Sequence, residues 1–336
     1  MNIDFVIPWV DGNDQKWRNQ MERYRRQESR QDSRQEEMTD AAESRYRDWD
    51  NLRYWFRGVE TFAPWVNRVH FITWGHLPEW LNKRHPTLNI VRHTDFIPKE
   101  FLPTFSSHPI ELSMHRIAGL AEKFVYFNDD MFLLRPVAPE RFFQHELPCD
   151  NLRLNIIPPS SIAHIIMNNV DLINMRHEKR RSIRRNLSKW FNRNYTFSDI
   201  VKTLTLMPWN TFAGFKDHHM PQPFLRSTFE KLWEEEGDLL AGTVAHRFRN
   251  VLDYSQYLMR YEQLVTGYFS PVSMCDCRLD TLGEESIRHI CDCIAAQKYA
   301  MACLNDSDTI HDFDGVKKEL NAAFEQILPN KCSYER

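Results

Sequence analysis

The stretch Tyr126-Phe127-Asn128-Asp129-Asp130-Met131-Phe132 places two adjacent carboxylates directly behind an apolar run. That run, Phe124 to Phe127, reads as a buried strand, so the acids stand where it reaches the surface. Two like charges at such a place cost free energy unless a cation or hydrogen bonds offset them. Magnesium binds through one or two carboxylates plus substrate phosphates, so Asp129 and Asp130 suit a metal-bridged diphosphate. An Asp pair capping a turn would have the same sequence. A second cluster is Asp217-His218-His219-Met220-Pro221-Gln222-Pro223. Paired histidines before a proline turn leave metal ligation, general-base chemistry and phosphate contact all open. Arg247 and Arg249 follow, and the arginine fork matches phosphoryl oxygens bidentately; Arg247 reads equally as a surface charge. Glu111, His115 and Arg116 are spaced i, i+4 and i+5 along an expected helix, as in a site or in a surface ion-pair ladder.

The elements that must carry these groups follow from periodicity. Ile3 to Val10 is a short apolar run closed by the turn cluster Asp11-Gly12-Asn13-Asp14, and reads as a buried first strand. Arg68 to Thr73, Leu88 to Val91 and Phe124 to Phe127 read as further strands. Helical spacing marks Asp48 to Phe62, Ile110 to Glu122, Thr228 to Glu236, Leu252 to Leu264 and Glu285 to Leu304, with a short helix from Pro78 to Leu81. Strand and helix alternate early and helices dominate late. This predicts an α/β core over residues 1–150 with a mostly parallel, Rossmann-like sheet. A mainly helical part, 151–336, supplies the His and Arg groups. A polar insertion at about 27–44 interrupts the core; its stretch Arg30 to Ala41 reads as a solvated helix, a loop or a lid. Arg53, on the amphipathic helix, is a further phosphate candidate.

The 336 residues suffice for one large domain or two smaller ones. A 13% aromatic share with ten Trp suits sugar stacking as well as core filling. A net charge of -3 leaves no electrostatic footprint for nucleic acid. No basic-then-apolar leader opens the chain and no apolar run approaches the roughly 20 residues of a membrane span, so a soluble, cytoplasmic protein is expected. Six of the seven cysteines follow residue 270. Their C-x-C pairs lack the usual zinc spacing, so reduced thiols are expected rather than a structural zinc. The run Arg176 to Arg185, with Lys189 and Arg193, is strongly basic. Ile183, Leu187, Trp190 and Phe191 recur within it at helical spacing, predicting a helix with one apolar and one cationic face. Such a face could track an anionic polymer, dock peripherally on the inner face of the cell membrane, or be plain surface.

Four blocks together resemble the Stealth family of bacterial capsular polysaccharide phosphotransferases, which is similar to the catalytic subunit of the animal lysosomal-enzyme GlcNAc-1-phosphotransferase. The first is Ile3-Asp4-Phe5-Val6-Ile7-Pro8-Trp9-Val10-Asp11-Gly12-Asn13-Asp14. The second runs from Arg45-Tyr46-Arg47-Asp48 through Pro103-Thr104-Phe105-Ser106-Ser107 and His115-Arg116-Ile117-Ala118-Gly119-Leu120 to Asn128-Asp129-Asp130. The third runs from His218-His219-Met220-Pro221 to Asp253-Tyr254-Ser255-Gln256-Tyr257, and the fourth is Cys303-Leu304-Asn305-Asp306.

The resemblance implies a GT-A-like core and transfer of hexose-1-phosphate from a UDP-sugar to a carbohydrate hydroxyl, with release of UMP. It implies Glu111, Asp130, His219 and Arg249 as catalytic residues. It prefers Arg249 to Arg247 because Asp253 follows it by four. The loop Trp9-Val10-Asp11-Gly12 would hold the uridine, and Mg2+ (or Mn2+) would sit on Asp130 and Asp129. The base would be His219 or Glu111, with His219 favoured for its near-neutral titration. The partners implied are a UDP-sugar donor and a capsular polysaccharide acceptor. Two other readings share these residues: a GT-A glycosyltransferase releasing UDP, and a non-catalytic carbohydrate-binding module.

Overall fold

The computed structural model describes residues 2–31 and 47–336. Arg45, Tyr46 and most of the polar insertion at about 27–44, including nearly all of its expected lid, lie outside the described residues. Five strands form the central sheet: β1 (Ile3–Trp9), β2 (Arg68–Thr73), β3 (Leu88–Arg92), β4 (Lys123–Tyr126) and β8 (Gln222–Leu225), in the order β3-β2-β1-β4-β8. The first four run parallel, and β8 is antiparallel to β4. The order 3-2-1-4 is that of a Rossmann-like half. Pro223 in β8 fits an edge strand, where a missing N–H is tolerated.

Both faces of the sheet are covered. Ile3, Phe5 and Ile7 of β1 point into one apolar cluster and Val6 into the other, as strand alternation requires. On the first face pack α2 (Leu52–Phe62), α10 (Ile287–Ala295) and α11 (Phe313–Ile327). On the second pack α3 (Ser107–Ser113), α4 (Ala163–Arg176), α8 (Arg226–Ala245) and α9 (Tyr257–Thr266). Helix α1 (Gln15–Gln31) follows β1. A second sheet joins β10 (Cys277–Thr281), β11 (Met301–Asn305) and β5 (Met131–Leu133), and a third joins β6 (Phe143–Gln144), β7 (Leu147–Asp150) and β9 (Ser270–Pro271). Among the described residues no helix is long and apolar enough to cross a membrane.

Several expectations are corrected. Residue 150 is no packing boundary, because β8 and β11, from the second half, pair with β4 and β5 of the first. The helix expected over Glu285 to Leu304 ends at Ala295, and Met301–Asn305 is a buried strand, whose short apolar run periodicity cannot tell from helix. Pro78 to Leu81 is a turn with a single bridge from Leu81 to Glu335. The helix expected over Ile110 to Glu122 ends at Ser113, and Met114–Arg116 is a 3-10 turn. The basic run is broken at Asn186 into α5 (Lys179–Arg185) and α6 (Leu187–Trp190); α7 (Phe197–Leu206) follows.

Candidate active site

Strand β1 feeds a crossover to β2 on one side, and β4 lies on the other, so the carboxyl ends of β1 and β4 splay apart. Such a switch point is where open α/β sheets bind ligands. A cleft of about 830 Å³ opens there. Trp9 and Val10 line it from the end of β1, Asn128, Asp129 and Asp130 from the end of β4, and Ser107 and Glu111 from α3. His219, Arg249 and Tyr257 enter from the second half of the chain. The four expected catalytic residues therefore converge from sequence positions as far apart as 111 and 249.

Asp130 and His219 form the centre. His219 Nε2 lies 3.6 Å from Asp130 Oδ2, and its Nδ1 lies 3.3 Å from the Tyr257 hydroxyl. Burial alone would lower the imidazole pKa; the carboxylate of Asp130, with Glu111 and Asp217 farther off, outweighs it and raises the pKa. Asp130 Oδ1 is buried and accepts no hydrogen bond from the described residues. An orphaned carboxylate oxygen in a cleft is what a bound cation would satisfy. Ligand atoms of Asp130, His219 and Cys303 lie within 4.8 Å of one another. Asp129 opens toward solvent on one side, yet desolvation by the surrounding protein and then the charge of Asp130 push its carboxyl up to about 7. Two acids that resist joint ionisation fit a site completed by positive charge.

His219 has φ 48°, the left-handed region that a β-carbon disfavours. Such a conformation costs on the order of 1–3 kcal/mol and persists only where its neighbours over-determine it. Those neighbours are anchored by Arg260, which is 1% exposed. Its guanidinium grips Asp150 through Nε and Nη2, both at 2.8 Å, and Asp217 through Nη1 at 2.8 Å. Tyr261 donates to the other Asp217 oxygen at 2.7 Å. Burial still pushes the Asp217 carboxyl up to about 6, against the pull of Arg260. His218 turns away from the cleft toward Asn151, 3.3 Å distant, and burial beside Arg260 and Lys216 holds its pKa well below the ordinary value.

Glu111 is buried and aimed by two donors, the Gln256 amide at 3.1 Å and the Tyr126 hydroxyl at 3.5 Å. Arg249 donates to Ser107 Oγ at 3.4 Å and has no other hydrogen-bond partner among the described residues, which leaves its fork able to meet an anion. Its loop is pinned by Asp253, fully buried, which accepts from His108 at 2.8 Å, His246 at 2.6 Å and the Asn250 amide at 2.9 Å. Burial would raise the Asp253 carboxyl, but the two imidazoles outweigh it and hold it below the usual range. Arg247 instead lies over the Tyr24 ring at 5.0 Å and faces Glu28 at 3.6 Å, outside the cleft.

Four expectations are revised by the geometry. Arg53 pairs with Asp50 at 3.0 Å over Trp80 and does not line the cleft; Arg47 does, held by Asp306 at 3.5 Å. One oxygen of the Asp11 carboxylate accepts from the Asn13 amide, and the Asp11 amide donates to His76. The Gly12 carbonyl accepts from Arg18. Asp11 and Gly12 thus shape the loop while Trp9 and Val10 face the cleft. The 3-10 turn after Ser113 carries His115 to Phe229 and Trp233 and sets Arg116 over Trp233, so neither shares a face with Glu111. Sequence reasoning also passed over Tyr257, the Arg260–Asp150 pair, Cys303 buried close to Asp130 and His219, and His93. His93 lines the cleft with Nδ1 buried and unpartnered, and desolvation lowers its pKa to about 4. Only the third and fourth blocks hinted at these, through Tyr257 and Cys303.

Profiles of Stealth protein conserved regions match the chain twice, region 1 over residues 1–29 and region 2 over 45–149. Full-length relatives include capsular polysaccharide phosphotransferase WcwK of Streptococcus pneumoniae, 37% identical over 99% of this chain and 98% of its own. Exopolysaccharide phosphotransferase cps2G of Lactiplantibacillus plantarum is 38% identical over 100% of this chain and 96% of its own. Receptor polysaccharide phosphotransferase WefC of Streptococcus gordonii is 36% identical over 99% and 98%. Among solved structures, the bifunctional glycosyltransferase WbbM in its apo form aligns with a TM-score of 0.36 at 8% identity, over 97% of this chain and 51% of that one.

Proposed function

Because the chain belongs to the Stealth family of polysaccharide phosphotransferases, we propose that it moves hexose-1-phosphate from a UDP-sugar to a carbohydrate hydroxyl in capsular or other cell-surface polysaccharide synthesis. The acceptor oxygen forms a bond to the β-phosphorus, the bond from that phosphorus to the bridging oxygen breaks, and UMP leaves. The observation that carries this reading is the meeting of Asp130, His219, Glu111 and Arg249 in one cleft at the carboxyl ends of β1 and β4.

His219 takes the hydroxyl proton at Nε2, and Asp130 beside it stabilises the imidazolium that results. Tyr257 fixes the ring from the Nδ1 side. Glu111 is the second candidate base, buried and held by Gln256 and Tyr126. Arg249 meets the charge that develops on the phosphoryl oxygens, with its fork free on the side away from Ser107. Trp9 and Val10 form the floor against which the uridine lies. Asp130, with Asp129 beside it, would hold Mg2+ or Mn2+, which when bound neutralises diphosphate charge; the orphaned Asp130 oxygen fits that role.

The test is product analysis. The purified protein is incubated with UDP-hexoses, an oligosaccharide acceptor and magnesium, and nucleotides are separated chromatographically. Acceptor-dependent UMP together with a phosphodiester signal in phosphorus NMR is expected. Acceptor-dependent UDP would instead make the chain a glycosyltransferase that attacks the anomeric carbon. Saturable acceptor binding with no nucleotide released from any donor would make it a carbohydrate-binding module.

A further inference from the structure

The basic run is not the helix its spacing predicts. Ile183 and Trp190 are buried in the core, whereas Leu187, expected beside them, is exposed. Three of its cations are consumed internally. Arg176 reaches Glu235, Glu236 and Glu262. Lys179 donates to the carbonyls of Leu206 and Trp209 at 2.6 and 2.8 Å, and Lys189 to those of Gly267 and Phe269. What remains outside on α5 is Arg180, Arg181, Arg184 and Arg185, all exposed.

The apolar partner of that charge lies on the neighbouring α7. Phe197, Val201 and Leu204 follow at i, i+4 and i+7 and so share one face. They are exposed by 82%, 38% and 50%, and Trp209, just beyond the helix, by 57%. The two elements adjoin, because Lys179 is tied to the Trp209 carbonyl and Arg180 donates to Asn210 at 3.0 Å. Lys202 adds a further exposed cation on α7. The sole acid of α7, Asp199, is buried against Arg153 at 3.0 Å, so it cancels none of this charge; Glu178, exposed before α5, is the one carboxylate of the α5–α7 segment left facing out. Soluble proteins seldom leave aromatic and aliphatic side chains of one helix face outside together.

We infer that α7 and Trp209, with the adjoining α5 arginines, form a peripheral docking surface for an anionic lipid bilayer. Apolar side chains enter the acyl boundary, tryptophan sits at headgroup level, and arginines meet lipid phosphates. An anionic polymer would use the arginines but would leave Phe197, Val201 and Leu204 in water, which favours the bilayer. Helix α4 separates this surface from the cleft: Ile165 and Ile166 near its start line the cleft, and α5 follows its far end. Its 14 residues span roughly 20 Å. The surface stands apart from the proposed chemistry, and its test needs no turnover.

The full chain is sedimented with vesicles of phosphatidylcholine alone and of phosphatidylcholine containing phosphatidylglycerol. Two variants are compared: F197S/L204S/W209S for the apolar face, and R180Q/R181Q/R184Q/R185Q for the charge. Circular dichroism serves as the fold control, and none of these residues touches the cleft. Wild type should bind only the anionic vesicles, and more weakly as salt rises. The charge variant should lose roughly 600-fold in partitioning, at about fivefold for each of its four arginines, and its salt dependence should flatten. The apolar variant should lose at least about tenfold while keeping the salt dependence. Failure of the folded wild type to bind anionic vesicles overturns the inference, as does equal binding to neutral ones or unchanged binding by either variant. If the charge variant instead loses only transfer to long anionic acceptors, the arginines track polymer and the bilayer reading is wrong.

Discussion

Asp253→Asn tests whether the Arg249 loop is set by a buried ionic clamp. The carboxylate is fully buried and takes three donors, the His108 and His246 rings and the Asn250 amide, at 2.6 to 2.9 Å. Asparagine keeps the volume but removes the charge, and it turns an NH2 group toward one of those donors. Hydrogen bonds to a charged group contribute about 1.5–3 kcal/mol and neutral ones about 1, so the exchange should cost about 2–4 kcal/mol. Spread over the unfolding entropy of a chain this long, that is a Tm lower by roughly 3–6 °C. The sign with pH follows from the lowered carboxyl pKa. The contribution is complete above the unfolded value of about 3.9 and is lost as pH falls through the still lower folded value. Calorimetry should show the gap between wild type and variant at neutral pH and its closure in strong acid. Kinetics of UMP release should show a fall in kcat larger than any change in donor KM, because Arg249 is displaced rather than removed. An unchanged Tm at neutral pH, a gap that persists in strong acid, or an untouched kcat would refute the clamp.

Asp130→Asn should reduce UMP release by roughly 100-fold or more while circular dichroism stays native, since charge leaves without volume; calorimetric titration with Mn2+ should show lost ion binding, and turnover near wild type would remove Asp130 from the centre. His219→Ala should lower kcat more than donor affinity, whereas His218→Ala, which empties a buried place beside Asn151, should lower Tm and spare kcat; equal kinetic effects would mean that the pair acts as a structural unit. Arg249→Lys should fail in steady-state assays because an ammonium cannot reproduce the fork, and Arg247→Lys, outside the cleft, should be tolerated; the reverse ranking would show the wrong arginine in the site. Arg260→Leu should destabilise by about 3–5 kcal/mol, because Asp150 and Asp217 are left buried without their cation; a denaturation midpoint like that of wild type would contradict the network.

The parts of this fold legible in the sequence were those with a local signal. β1, β2 and β4 are buried apolar runs closed by polar turns, and Asn128-Asp129-Asp130 stands out because acids follow such a run directly. What escaped was decided by distant partners. Met301–Asn305 reads as the end of a helix, yet pairing with β10 and β5 makes it a strand and brings Cys303 beside Asp130. Arg53 and Arg47 lie in the same amphipathic neighbourhood, and Asp50 and Asp306 decide between them. The basic run has helical spacing, but its lysines find backbone carbonyls from two other stretches, 206–209 and 267–269, which no periodicity records. Arg260 lies within the helical spacing of Leu252 to Leu264; that it is buried between two aspartates depends on β7 and the Asp217 loop meeting over α9.

The distance between Asp130 and His219 follows from strand register. In the antiparallel pair β4–β8, Tyr126 faces Gln222. The chain leaves β4 just after Tyr126 and enters β8 just before Gln222, so both free ends emerge on the same side of the sheet. Asp130 is four residues past that pair and His219 three before it, which places both at the crevice mouth. A slip of one residue would turn every β8 side chain to the opposite face and carry His219 with it. Gln222 resists that slip by donating to Asp150 at 3.1 Å, and Arg260 holds the same carboxylate while gripping Asp217 on the other side of His219. The left-handed turn at His219 is then the conformation that lets a short segment, fixed at both ends, aim an imidazole back toward β4. The edge strand from the second half of the chain is therefore part of the cleft: it sets an imidazole opposite the carboxylate that follows β4.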